Sequence, residues 1–349
     1  MDGIHEILKE IHTSPSEEDV IATIIRVEGS AYRKEGTSLL FRRDGTKVGM
    51  LSAGCLETDL YCRVPEIIEQ RKTRTIVYDL KAEDDLSWGQ GAGCNGVISV
   101  LLEPVDAFLR EHLCKLKFHL DRGNRVTIIK KLADDYSVSD YLYIADNHDL
   151  FGKWHGGVPV FMKELISEVH KTYPKSGIIY CSELSANLYI HSFEPKPRLM
   201  VFGAGMDAVP LVKLASITGF YVIVSDWRSS LCNEEYFPNA DQHIVGFPEE
   251  TVKKINFTKS DSVLILTHHF QRDKELLHHL RNRELMYLGV LGSKTRTERL
   301  LGGKEIPPEI NSPVGLPIMA DGPEEIAVSI VAELIQRQRE KRSEEVISL

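Results

Sequence analysis

The segment Leu199-Met200-Val201-Phe202-Gly203-Ala204-Gly205-Met206-Asp207-Ala208, followed about twenty residues later by Val222-Ile223-Val224-Ser225-Asp226, constrains this chain more than any other feature. Its order is an apolar strand, a glycine turn, a helix, a second strand and an acid, the pattern of a βαβ unit that binds nucleotides. Gly203 permits the tight turn out of the strand, Gly205 lets backbone approach a pyrophosphate, and Ala208 is small enough for a helix to pack on a sheet. The start of that helix offers free N–H donors to an anion. Asp226 stands where a carboxylate accepts from a ribose hydroxyl, which makes NAD(P) the cofactor this unit suggests. The alternative is that the fold persists while its phosphate site is empty or serves another ligand.

With 349 residues, 42% hydrophobic and 27% charged, the chain carries enough apolar material for two or three domains. A net charge of -9 argues against broad nucleic-acid binding, because Glu340, Glu344 and Glu345 dilute the basic stretch from Arg337 to Arg342. At the N-terminus Ile4, Ile7, Leu8 and Ile11 recur at helical spacing with acids between them, unlike the apolar core of a secretion signal. No run approaches membrane-spanning length. Six scattered cysteines without zinc-type pairing fit a reducing cytoplasm.

Three segments are expected: residues 1–105, an α+β stretch over 106–195 and a Rossmann-like α/β domain over 196–349, entered through the stiff Pro195-Lys196-Pro197. In the first, an opening helix leads to a strand from Val20 to Val27 and a glycine-punctuated loop, Glu28 to Gly36, which carries Arg33 and Lys34. Ser38–Arg42 and Lys47–Leu51 pair as a hairpin, since Asp44-Gly45 supplies a tight turn. A helix over Leu56–Gln70 follows, so Cys55 sits at a helix N-terminus, where the dipole favours thiolate. A second glycine-rich loop, Trp88 to Gly96, holds Gly93 and Cys94 between strands at 73–79 and 96–102. The middle segment reads as a helix at 106–120, strands at 126–131 and 141–145, a helix at 159–173, and strands at 177–181 and 186–191. Strand and helix then alternate as a doubly wound parallel sheet requires, ending in a helix over 324–339.

Gly29-Ser30 with Arg33-Lys34, Ala53-Gly54-Cys55-Leu56-Glu57, Gly91-Ala92-Gly93-Cys94-Asn95-Gly96, Phe202-Gly203-Ala204-Gly205, Thr267-His268, Leu291-Gly292-Ser293 and Gly322-Pro323-Glu324-Glu325-Ile326-Ala327 resemble, in order and spacing, the XdhC/CoxI family. These are accessory proteins of molybdenum hydroxylases such as xanthine dehydrogenase, an enzyme of purine catabolism. The resemblance implies a chaperone that shields the molybdenum cofactor, assists its sulfuration and hands it to an apo-hydroxylase, with a cysteine desulfurase as a further partner and a homodimer as the typical assembly. The sequence departs from the family where Ser52-Ala53-Gly54 replaces a glycine-richer run and where Met206 replaces histidine after the Gly-Ala-Gly turn. The second change removes a candidate proton carrier or metal ligand. Residues Leu316 to Asp321 also differ from the usual glycine-rich stretch.

Molybdopterin presents a phosphate, a flat pterin and a dithiolene that holds the metal, so its site needs backbone donors, a cation and soft ligands. Arg33, Lys34, Gly54, Cys55, Glu57, Gly93 and Cys94 supply those types, with Cys55 and Cys94 as possible molybdenum or sulfur contacts. The alternative for both thiols is ordinary core packing, which is also the expectation for Cys62, Cys114, Cys181 and Cys232. In the second half, His268 and His269 follow a strand at the carboxyl edge of the sheet, where an imidazole suits acid-base or phosphate contact. Ser293 and Arg296 open another helix as an anion site or as a plain cap. Two other functions stay open: an NAD(P)-dependent oxidoreductase built on Gly203, Gly205 and Asp226, and a persulfide carrier at Cys55 or Cys94. The chain has no iron–sulfur cysteine spacing and is too short for a hydroxylase's flavin and molybdenum domains.

Overall fold

Six successive buried side chains, Val20 to Ile25, start β1 (Val20–Ser30), a strand covered on both faces and therefore central in its sheet. In this computed structural model, which describes residues 3–14, 16, 18–52, 54–80, 95–162 and 176–347, the chain divides into two units, Met1–Pro195 and Lys196–Leu349. The first unit contains β1 together with β2 (Ser38–Phe41), β3 (Lys47–Gly49), β4 (Arg74–Asp79) and β5 (Asn95–Pro104), in the antiparallel order β3-β2-β1-β5-β4. The predicted hairpin is present, with Gly45 at φ 84° and the Thr46 N–H donating to Asp44 at 2.8 Å. A second antiparallel sheet, β8-β7-β6-β10-β9, is made by β6 (Val126–Leu132), β7 (Val138–Ala145), β8 (Leu150–Lys153), β9 (Ser176–Cys181) and β10 (Ala186–Phe193). Strand β8 lacks a counterpart in the sequence reading, because four residues around Gly152 are too few for a periodic signal. The helix expected over 159–173 falls largely outside the described residues.

Between the two sheets lie α1 (Ile4–Thr13) and α3 (Ala107–Asp121), while α2 (Cys55–Gln70) packs Leu56, Leu60, Val64 and Ile67 on the first sheet. Asp106 caps α3, accepting the Leu109 N–H at 2.7 Å, so the helix begins where the sequence predicts. Ile7, Leu8, Leu113 and Leu116 share one core with Ile21 and Leu40 on one side and Val126, Tyr143 and Phe193 on the other. Lys130 of β6 donates to Glu103 of β5, and this almost fully buried ion pair links the two sheets.

The second unit alternates β11 (Arg198–Phe202), α4 (Ala208–Ile217), β12 (Tyr221–Asp226), β13 (Gln242–Val245), α5 (Pro248–Lys254), β14 (Ser262–Ile265), α6 (Phe270–Leu280), β15 (Tyr287–Val290), α7 (Lys294–Leu300), β16 (Ile310–Asn311) and α8 (Gly322–Ile347). All six strands are parallel, in the order β13-β12-β11-β14-β15-β16. Counted within the unit this is 3-2-1-4-5-6, the doubly wound Rossmann order. Alternation along β11 explains the two cores: Leu199 and Val201 face α4 and α8, whereas Met200 and Phe202 face α6 and α7. Helix α8 runs past the predicted Arg339, and its basic turn is a helix face on which Arg337 and Glu340 pair at 3.5 Å. Among the described residues no helix is long and apolar enough to cross a membrane.

Candidate functional site

Strand order reverses between β11 and β14, and ligands of open α/β sheets gather outside the carboxyl ends at such a point. Gly203 leaves β11 at φ 126°, and a Cβ there would come closer than 3.0 Å to the Leu266 carbonyl and the Thr267 nitrogen. Glycine is thus required by the approach of the segment after β14. Gly205 differs, because its backbone is ordinary and an added Cβ would crowd only the Asp207 carboxylate.

Asp226 ends β12 as predicted, but its side chain is wholly buried and filled by protein donors. The Ala204 N–H and Arg228 Nη2 donate to Oδ2 at 2.8 Å, while the Arg228 N–H and Nε each donate to Oδ1 at 2.9 Å. A ribose hydroxyl would have to displace one of them. Burial raises the Asp226 pKa, yet the hydrogen bonds from Arg228 and Ala204 outweigh it and hold the carboxyl below its ordinary value. A carboxyl depressed by folding stabilises the protein above the unfolded pKa and loses that stabilisation as pH falls through the folded one. Asp226→Asn is therefore expected to flatten the acid limb of a melting-temperature profile recorded from neutral pH to about pH 3.

Across the switch point His268 Nε2 meets Asp207 Oδ2 at 2.6 Å, with the imidazole largely exposed. His268 holds a left-handed φ of 57°, a backbone state found at functional sites when surrounding structure enforces it. Asp207 also lines a small cavity of about 30 Å³ with Leu211, Leu266, Leu291, Ala327 and Ile330, room for one or two waters. His269 instead caps α6, accepting the Arg272 N–H at 3.4 Å. Ser293 caps α7, and the Arg296 guanidinium donates to the buried Asp273 at 2.6 Å. Asp273 also accepts the Thr267 hydroxyl at 2.5 Å, so Arg296 fastens two edge loops together. Of the predicted edge residues, all have protein partners, and His268, paired with Asp207, keeps a largely exposed ring beside the glycine turn.

In the first unit Glu57 is buried and governs the approach to α2. It accepts the N–H groups of Leu51 at 2.9 Å and Ser52 at 2.7 Å, together with the Ser52 hydroxyl. Ser52 Oγ in turn accepts from the Gly54 and Leu56 N–H groups at 3.1 and 3.2 Å. Burial pushes the Glu57 pKa up, but the bonds from Ser52 and Leu51 prevail and leave it lowered. Gly54 precedes α2 at φ 115° with open space where a Cβ would stand, and Cys55 is the first helical residue. Glu57 therefore pins the turn in front of Cys55, a role the sequence gives no hint of beyond its place in the first helical turn. Glu57→Ala orphans two buried N–H groups and is expected to lower stability by about 1–3 kcal/mol in urea unfolding.

Arg33 and Lys34 lie in the loop after β1. Lys34 is exposed, whereas Arg33 Nε is buried and has no hydrogen-bond partner among the described residues. Gly93, Cys94 and Ala53 lie outside the described residues, and with Cys94 the expectation that it joins Cys55 in one site. The four other cysteines divide: Cys181 and Cys232 are buried as expected, Cys114 is half-buried, and Cys62 is exposed. Cys62 contradicts the packing expectation because it lies off the Leu56, Leu60, Val64, Ile67 stripe of α2. No group of three or more potential metal ligands occurs among the described residues.

Family models match three stretches: the XdhC and CoxI family over residues 14–79, the BH1974-like central domain over 107–194 and the XdhC Rossmann domain over 199–334. The chain is 43% identical to a protein of Bacillus subtilis named as a probable xanthine dehydrogenase component, over 97% of this chain and 98% of that protein. It is 23% identical to the molybdenum cofactor insertion chaperone PaoD of Escherichia coli, over 90% of this chain and 82% of that protein. A crystal structure from Bacillus halodurans, described as a xanthine dehydrogenase, is 49% identical and superposes with a TM-score of 0.84, covering 97% of this chain and 96% of that one.

Proposed function

Because the chain belongs to the XdhC and CoxI family, we propose that it is an accessory factor that binds molybdenum cofactor as cargo, protects it, assists its sulfuration and passes it to an apo-hydroxylase of the xanthine dehydrogenase type. The observation that carries this reading is the similarity to an insertion chaperone along 90% of the chain. Arg33 supports it independently, since a buried guanidinium N–H without a partner among the described residues is a donor waiting for an acceptor such as the cargo's phosphate. In this reading Lys34 adds a second cation, and the turn pinned by Glu57 fixes where Cys55 begins α2. Cys55 and Cys94 serve as soft contacts to the metal or its sulfur. A cysteine desulfurase supplies the sulfur, and the factor works in the cytoplasm as a homodimer.

The competing reading is an NAD(P)-dependent oxidoreductase, favoured by the Gly203 turn and the strand order of the second unit. The two are separated by incubating the protein with molybdenum cofactor under anaerobic conditions, desalting it and measuring retained pterin by fluorescence after oxidation, beside titrations with NAD and NADP. Retention in the wild type and its loss in Cys55→Ser or Cys94→Ser is the expected result. Nucleotide binding with no retained pterin would overturn the proposal in favour of the oxidoreductase.

A further inference from the structure

Beyond the ends of β12, β13 and β14 the second unit gathers a group of aromatic and cationic side chains that its internal packing does not require. Trp227 follows Asp226, and the Arg228 guanidinium lies 4.6 Å from its ring centroid. The Arg272 guanidinium, from the first turn of α6, contacts Phe247 at 4.5 Å and Trp227 at 5.9 Å. The His269 ring meets Trp227 edge-on at 5.8 Å. The group faces solvent in part, with Phe247 44% exposed and Trp227 half-buried. Each arginine is only partly engaged: Arg228 gives Nε and Nη2 to Asp226, and Arg272 gives Nη1 to Glu275 at 3.1 Å. Among the hydrogen bonds of the described residues, their remaining side-chain N–H groups have no acceptor.

We propose that Trp227, Phe247, Arg228 and Arg272 form a shelf that binds a fused heteroaromatic ring carrying a phosphate. Flat π-faces and guanidinium planes stack on such rings, and the unused N–H groups match a phosphate more closely than a neutral hydroxyl. The inward-turned Asp226 strengthens the assignment. With its oxygens already filled, this edge offers no free carboxylate to read a ribose hydroxyl, whereas two cations remain to read an anion beside the ring. The shared chemistry fits either a 2′-phosphorylated adenosine or the phosphorylated pterin itself, and the site lies wholly within the second unit.

The test titrates the full-length protein with 2′,5′-ADP, 5′-AMP and molybdopterin, reading tryptophan fluorescence and equilibrium dialysis, in the wild type, Trp227→Leu and Arg272→Gln. Saturable binding of 2′,5′-ADP or molybdopterin, weakened roughly tenfold or more in both variants, is expected. Which of the two binds identifies the source of the ring, and 5′-AMP should bind more weakly than 2′,5′-ADP if it is the nucleotide. No saturable binding of either phosphate-bearing ring, or equal binding in wild type and Arg272→Gln, would overturn the shelf; Arg272→Gln decides alone should Trp227→Leu lose its circular dichroism spectrum. Pterin retained equally by wild type and both variants, with no 2′,5′-ADP bound, would sink the shelf and leave the accessory-factor reading intact. Nucleotide held through the shelf with no pterin retained would do the reverse.

Discussion

Lys130→Met is expected to lower the unfolding free energy by about 3–5 kcal/mol, because it leaves the buried Glu103 carboxyl with its partner removed. The side chains of Lys130 and Glu103 are only 8% and 5% exposed, so water cannot replace the lost ammonium. The double variant Lys130→Met/Glu103→Leu is expected to recover most of the loss, since exchanging a buried pair for apolar groups of similar volume is often neutral or stabilising. Urea denaturation of the three proteins measures both effects. A single variant within about 1 kcal/mol of wild type would mean that water or a second cation reaches Glu103, and that the pair does not act as a closed unit.

Gly203→Ala is expected to destabilise the second unit by about 2–6 kcal/mol, combining a strained backbone with overpacking against the Leu266 carbonyl. Gly205→Ala, two residues on, is expected to leave the melting temperature within a few degrees of wild type, because only a side-chain carboxylate stands in its way. Its effect falls on Asp207, which must swing aside and lose its 2.6 Å contact with His268. The NMR chemical shifts of the His268 ring should therefore change in Gly205→Ala without a matching loss of stability. Two glycines that look equivalent in the motif thus have separable roles, one serving the fold and one the open surface at the switch point.

What is legible in the sequence is what local geometry determines. A left-handed φ at Gly45 and Gly203, an aspartate cap at Asp106 and the 3.6-residue stripe of α2 each arise within a few residues, so they leave a readable mark. Contacts between distant positions leave none. Nothing in the neighbourhood of Lys130 announces Glu103, and nothing near Trp227 announces Arg272, 45 residues downstream. The filling of Asp226 does have a local signal: an arginine two residues after an acid at a strand end is placed to fold back on it. The exposure of Cys62 has one too, since the stripe that buries Leu60 and Val64 puts it on the outer face of α2.

Because both sheets of the first unit share the layer of α1 and α3, the order of synthesis matters to this chain. A ribosome delivers all five strands of the first sheet by Pro104, yet the opposite wall of the core comes from Val126, Tyr143, Phe151 and Phe193. Until Phe193 has left the exit tunnel, the nascent chain carries α1 and the first sheet with Ile7, Leu8 and Ile21 uncovered on that side. The interval between those two points is when the chain is open to misassociation and to capture by general folding chaperones. A stop or a rare-codon pause there would be felt more keenly than one placed just after Pro195, where the first core is complete.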